Sequence, residues 1–166
     1  MSKTSNKKCI LAVDDTAIIL TRISNTLRDA YDVITVNSGE RALKYLKEEK
    51  PDLILLDIKM SPLDGVETLN KIRTMKDRED IPVIMLTGVE DRDIVLKSAR
   101  LGICDYILKP FSSDDLRKRI RRAFEQENQK QVDGDQIQLQ DDQERVESDQ
   151  KQAEADQKQL EDNKEG

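Results

Sequence analysis

A chain of 166 residues with 28 Lys+Arg, 34 Asp+Glu and a formal net charge of −6 has room for one domain plus appendages, not for two ordinary domains. It contains no histidine, which excludes imidazole base catalysis, imidazole metal sites and a phosphohistidine within this chain. No run approaches the ~20 apolar residues of a membrane span, and the basic N-terminus (Lys3, Lys7, Lys8) leads into an apolar stretch too short for a secretory leader, so a cytoplasmic location is expected.

Five short apolar, β-rich runs alternate with helix-like segments. The runs are Cys9 to Val13, Asp32 to Val36, Asp52 to Leu56, Pro82 to Leu86 and Asp105 to Leu108. Leu53-Ile54-Leu55-Leu56 and Val83-Ile84-Met85-Leu86 do not alternate apolar with polar, the pattern of strands covered on both faces. Between and after them, Ala17 to Asp29, Gly39 to Glu49, Val66 to Lys76, Asp91 to Leu101 and Ser113 to Glu125 carry apolar residues at helical spacing. Ser38 stands as an N-cap, with Arg41 where a capping box needs Glu; Gly102 suits a left-handed C-terminal cap, and Ser112 or Ser113 can cap the last helix. Cys9 and Cys104 lie in apolar runs with no second thiol near, and read as small buried hydrophobes. Strict alternation of strand and helix predicts right-handed crossovers and a doubly wound, three-layer α/β domain with a parallel sheet.

In such a fold, ligands sit at the carboxyl ends of the strands. Asp14 and Asp15 follow the first run, Asp57 the third, Thr87 the fourth and Lys109 the fifth. Any one of these alone reads as a turn or cap residue; turn chemistry has no reason to place all five at strand ends. Parallel strands bring them to one rim, where each pair of carboxylates repels by ~4 kcal/mol at an effective dielectric near 20. They stay ionised together only beside cations. Lys109 is one, and an all-oxygen donor set favours a hard divalent ion, with Mg²⁺ the expected cofactor. A carboxylate nucleophile such as Asp57 can then take a phosphoryl group in line, while Thr87 and the Gly88 amide offer hydrogen bonds to the product.

The carriers V-D-D (Val13 to Asp15), L-L-D-I-K-M (Leu55 to Met60), L-D-G (Leu63 to Gly65), L-T-G (Leu86 to Gly88) and D-Y-I-L-K-P-F (Asp105 to Phe111), in this order, resemble the receiver domain of two-component response regulators, of the stand-alone chemotaxis or phosphorelay type, from Lys8 to about Phe124. The resemblance implies a flavodoxin-like (βα)5 domain whose five-stranded parallel sheet has the order 2-1-3-4-5. It implies that Asp57 is the phosphoacceptor, that Asp14, Asp15, Asp57 and the backbone carbonyl of Lys59 hold Mg²⁺, and that Lys109 contacts the phosphoryl group. Thr87 and Tyr106 resemble the switch pair, and Lys109-Pro110 a cis peptide. The implied donor is a sensor histidine kinase or a histidine phosphotransfer protein, and the implied output is a surface of the fourth helix, fifth strand and fifth helix read by a protein partner. Lys59 and Val89 occupy positions that tune phosphoryl lifetime in this family. Two departures stand out: Met60-Ser61-Pro62 shifts the usual proline by one, and Ile103 replaces a frequent Ala.

These readings divide the chain into an N-terminus, 1–7, expected to be flexible; a receiver, 8–125; and an acidic Gln-rich tail, 126–166. From Glu125 to Gly166 there are 14 acidic and 5 basic residues, a net −9 that leaves +3 for residues 1 to 124. The basic cluster Arg117, Lys118, Arg119, Arg121 and Arg122 reads as the solvated face of the last helix, and no direct DNA binding is expected. Residues 128 to 162 form five heptads with Val132, Leu139, Val146, Ala153 and Leu160 at one position and Gln three residues earlier. A solvated or weakly helical, disordered tail, a coiled coil with a more basic partner, and self-pairing opposed by acidic flanks are the open alternatives. A scaffold role through this tail and a phosphatase acting on external substrates compete with the receiver reading; the latter lacks an acidic residue two positions after Asp57, where Lys59 stands.

Overall fold

The computed structural model describes residues 6–88, 92–134 and 151. The chain divides into two units, Met1–Ala123 and Phe124–Gly166. In the first, β1 (Cys9–Val13), α1 (Ala17–Leu27), β2 (Asp32–Val36), α2 (Gly39–Glu48), β3 (Leu53–Asp57), α3 (Gly65–Arg73), β4 (Val83–Thr87), α4 (Arg92–Ala99) and β5 (Asp105–Leu108) follow one another, and residues 113–123 form α5. The strands make one five-stranded sheet of order β2-β1-β3-β4-β5, parallel throughout, which is the order expected.

β1, β3 and β4 are the continuous apolar runs, and every residue in them is buried. Because side chains alternate across a strand, each run feeds two layers. Leu11, Val13, Ile54, Leu56, Val83 and Met85 pack with Ala42 and Leu46 of α2 and Leu69 and Ile72 of α3, and Ile94 of α4 joins them. Their neighbours Ile10, Ala12, Leu53, Leu55, Ile84 and Leu86, all fully buried, face the other layer. There α1 buries Ile23 and Leu27 and α5 buries Leu116 and Ile120, and Thr26 Oγ1 meets Ser113 Oγ at 3.2 Å between the two helices.

Local signals set the helix ends. Ser38 Oγ accepts from Arg41 N, a one-way cap as anticipated, and Ser112 rather than Ser113 caps α5 by accepting from Asp115 N at 3.0 Å. The complete capping box lies at α3, where Asp64 Oδ1 accepts from Glu67 N and Glu67 Oε2 accepts from Asp64 N; the sequence reading missed it. Gly102 is left-handed, φ 70°, as expected. Helix α3 stops at Arg73, short of the expected Lys76, because Thr74 Oγ1 turns back to the Lys71 carbonyl. Strands β3 and β4 sit one residue later than expected, because Asp57 pairs with Leu86 and Thr87 with Leu108, while Pro82 brings no N–H to the ladder. Cys9 is buried but Cys104 only half-buried, its thiol donating to the Val83 carbonyl. Arg119 is no free surface charge: its guanidinium donates to both Asp105 carboxylate oxygens at 2.9 and 3.1 Å.

In the second unit residues 124–134 are helical, with Gln129 Nε2 donating to Asp133 Oδ1 and Val132 exposed. The heptads beyond 134, apart from Lys151, lie outside the described residues, as do residues 1–5.

Arg73 ties the end of α3 to three carbonyls, those of Leu101 (2.8 Å), Ile81 (2.8 Å) and Gly102 (3.1 Å). Arg73→Ala leaves these acceptors without their donor, and urea unfolding is expected to show a loss of about 2 kcal/mol at unchanged m-value.

Candidate functional site

The parallel topology places the carboxyl ends of β1, β3, β4 and β5 along one rim, with the strand order reversing at β1 and β3. Asp57 and Thr87 are the last residues of their strands; Asp14 and Lys109 follow theirs immediately. Asp14 is 0%, Thr87 1% and Asp57 4% exposed, whereas Asp15 is exposed to solvent. A cleft of about 230 Å³ opens here between Asp15, Asp57, Lys59, Thr87, Gly88 and Lys109.

Lys109 Nζ donates to Asp14 Oδ2 at 2.7 Å and to Asp57 Oδ1 at 2.9 Å. The other Asp14 oxygen accepts the Thr16 backbone N–H at 2.9 Å, so both its oxygens are committed to protein donors. Thr16 was missed by the sequence reading; an Asp two residues ahead of the residue that precedes a helix is the signal, since such a carboxylate folds back onto the backbone amide two residues on. The second Asp57 oxygen carries no protein hydrogen bond among the described residues.

Asp14, Asp15 and Asp57 each offer an oxygen within 4.8 Å of the others. Three carboxylates and no nitrogen or sulfur donor fit a hard divalent cation. Burial of Asp57 pushes its carboxyl pKa up from the ordinary value; the hydrogen bond from Lys109 pulls it back, and repulsion from Asp14 and Asp15 adds to the rise. Burial also works against the Lys109 ammonium, but its hydrogen bonds and attraction to Asp14 and Asp57 prevail and its pKa is raised.

Thr87 Oγ1 donates to the Gly88 carbonyl at 3.1 Å, and Tyr106 is 42% exposed. Lys59 is exposed at the cleft, between buried Ile58 and Met60. Both Ser61-Pro62 and Lys109-Pro110 are cis; the first, in the segment where the sequence departs from the family pattern, was not anticipated. Val89 lies outside the described residues.

Such a doubly wound, flavodoxin-like domain, with a lysine-braced acidic cleft at its switch point, defines a class, and comparison with known proteins gives the family. Residues 10–121 match the response regulator receiver domain. The alkaline phosphatase synthesis transcriptional regulatory protein PhoP of Bacillus subtilis (strain 168) is 42% identical over 117 residues, 70% of this chain and 48% of its own length. The transcriptional regulatory protein ZraR of Escherichia coli (strain K12) is 33% identical over 115 residues, covering 69% of this chain and 26% of its own. Among solved structures, the chemotaxis protein CheY4 of Vibrio cholerae aligns with a TM-score of 0.67 at 30% identity, over 70% of this chain and 98% of that one. The chain belongs to the response regulator receiver family of two-component signalling. It spans about half the length of the first curated relatives it matches. Among the described residues no helix is long and apolar enough to cross a membrane.

A raised folded-state pKa means that the contribution of Asp57 to stability is fully present below its unfolded pKa and is lost as pH rises through the folded value. Asp57→Asn is therefore expected to unfold at higher urea than the unsubstituted protein in metal-free neutral buffer, and the gap is expected to close as the pH is lowered through the carboxylate range.

Proposed function

We propose that this chain is a phosphorylation-controlled switch that takes a phosphoryl group on Asp57 from a phosphohistidine of a sensor histidine kinase or histidine phosphotransfer protein. The observation that carries the reading is the Lys109 ammonium held between Asp14 and Asp57, with Asp15 completing a three-carboxylate cluster. A structural ion pair has no need of the third acid or of the cleft.

An Asp57 oxygen attacks phosphorus in line; an O–P bond forms, the P–N bond to the donor imidazole breaks, and the imidazole leaves with the electron pair and takes up a proton. Lys109, anchored by Asp14, is placed to neutralise charge on the transferring oxygens. The side chains of Asp14, Asp15 and Asp57 and the Lys59 carbonyl are the groups that would hold Mg²⁺, which when bound neutralises phosphoryl oxygens as a Lewis acid. The protein is not an enzyme toward external substrates; it promotes formation and hydrolysis of its own acyl phosphate.

Phosphorylation adds about −1.5 to −2 charge at Asp57. That charge is a stronger acceptor for the Thr87 hydroxyl than the neutral Gly88 carbonyl it now meets. Movement of Thr87 toward the phosphoryl group frees space for Tyr106 to turn inward. The α4-β5-α5 surface, where Leu96, Tyr106 and Leu108 are exposed, thereby changes shape for a protein partner. Residues 8–125 are the receiver in this reading, and the heptad pattern of the acidic tail, 126–166, suits a coiled-coil partner, the tail beyond 134, apart from Lys151, lying outside the described residues.

With Mg²⁺ and a small acyl phosphate as donor, mass spectrometry is expected to find one phosphoryl group on Asp57 and none on Asp57→Asn, with Lys109→Ala labelled about a hundredfold more slowly. Labelling elsewhere, or none, contradicts the assignment. Val89 excludes an attacking water and Lys59 holds phosphoryl oxygens in this reading, so Lys59→Asn combined with Val89→Glu is expected to shorten the phosphoprotein lifetime; a lengthened lifetime would count against these roles.

A further inference from the structure

The segment after β3 is shaped by two glycines that no motif assigns to the chemistry. The Ile58 carbonyl accepts both Met60 N at 3.2 Å and Gly65 N at 2.9 Å, and Ile58 N donates to the Leu86 carbonyl at 3.0 Å. The loop that carries Lys59 is thus pinched shut at its base, between the end of β3 and the start of α3. A Cβ on Gly65 would overlap the carbonyl oxygen of Asp57 and stand 2.7 Å from Ile58 Cα and 2.9 Å from the Asp57 carbonyl carbon. Its φ is not left-handed, so what this position demands is proximity and not conformational freedom. The obstacle is backbone, and it belongs to the phosphoacceptor itself.

Gly39, the first residue of α2, supports the same loop from outside. A Cβ there would overlap Thr68 Oγ1 and approach Leu63 Cδ2 at 3.0 Å. Thr68 is fully buried and its hydroxyl donates to the Asp64 carbonyl at 2.7 Å, so it has no room to retreat. Leu63 and Asp64 belong to the loop between Lys59 and Gly65.

We propose that Gly65 and Gly39 are positioning residues: they let α3 and α2 press the 58–64 loop against the end of β3, and this contact sets where the Lys59 carbonyl and the Asp57 carboxylate stand for Mg²⁺ and the phosphoryl group. The inference rests on the reading of Asp57 and Lys59 given above. It explains how the loop keeps its place despite the shifted proline, since the contact closes it at residues 58 and 65, outside Met60-Ser61-Pro62.

Calorimetric titration of the full chain with Mg²⁺, paired with urea unfolding, tests this. Gly65→Ala must part the start of α3 from the Asp57 backbone, so the contact that closes the loop is lost whichever side shifts, and its Mg²⁺ dissociation constant is expected to rise about tenfold or more. Asp64→Ala removes the α3 cap without adding an atom beside Asp57, and is expected to lose stability while keeping the Mg²⁺ affinity of the unsubstituted protein. Equal Mg²⁺ affinity in Gly65→Ala, or an equal loss in Asp64→Ala, overturns the proposal. Should Gly65→Ala fail to fold, Gly39→Ala meets side chains only; it is expected to weaken Mg²⁺ binding and to recover when combined with Thr68→Ala, and unchanged binding overturns the proposal. An unsubstituted protein that binds no Mg²⁺ removes the functional reading itself, which separates the two failures.

Discussion

A single ammonium faces two carboxylates: Lys109 Nζ lies 2.7 Å from Asp14 Oδ2 and 2.9 Å from Asp57 Oδ1, and a third acid, Asp15, belongs to the same cluster. One positive charge cannot balance three negative ones, and two of the acids are almost fully buried. Burial first, and after it repulsion from Asp14 and Asp15, makes Asp57 harder to ionise than an ordinary aspartate, with the hydrogen bond from Lys109 opposing the rise. The surplus of carboxylates is the electrostatic ground for the cation and the phosphoryl transfer proposed above. The chemistry proposed for Asp57 follows from that imbalance.

The fold creates the imbalance by geometry. Parallel pairing puts the carboxyl ends of four strands on one edge, and the all-apolar bodies of β1, β3 and β4 leave the polar residues nowhere but those ends. The two helical layers then cover the sheet without covering the rim. Asp57 pairs with Leu86 of β4, Thr87 follows Leu86 and pairs with Leu108 of β5, and Tyr106 lies two residues before Leu108, so the proposed switch pair stands on the two strands next to the proposed phosphoacceptor. Here the surface proposed to carry the signal begins where the chemistry ends.

Much of this was legible in the sequence because its signals are periodic or local. Unbroken apolar runs specify strands buried on two faces, and their alternation with helices fixes the topology, so Asp14, Asp57, Thr87 and Lys109 could be placed at one edge by counting from each run. Less legible were features that depend on neighbours distant in sequence. Arg73 finds its acceptors at Ile81, Leu101 and Gly102, the last 29 residues further along the chain. The glycine contacts at 39 and 65 exist only once α2 and α3 have packed. Strand ends were misjudged by one residue at β3 and β4 because Asp and Thr read as punctuation when they in fact complete the ladder. The heptads of the tail are plain in the sequence but say nothing of what pairs with them, since pairing depends on a second helix.

The most direct test of the account is the amide NMR spectrum of the protein with Mg²⁺ before and after addition of beryllofluoride, an acyl-phosphate mimic. The account predicts large shifts at Asp57, Thr87, Lys109 and Tyr106 that require Mg²⁺ and vanish in Asp57→Asn. A spectrum unchanged by beryllofluoride in Mg²⁺, or changed equally in Asp57→Asn, would contradict it.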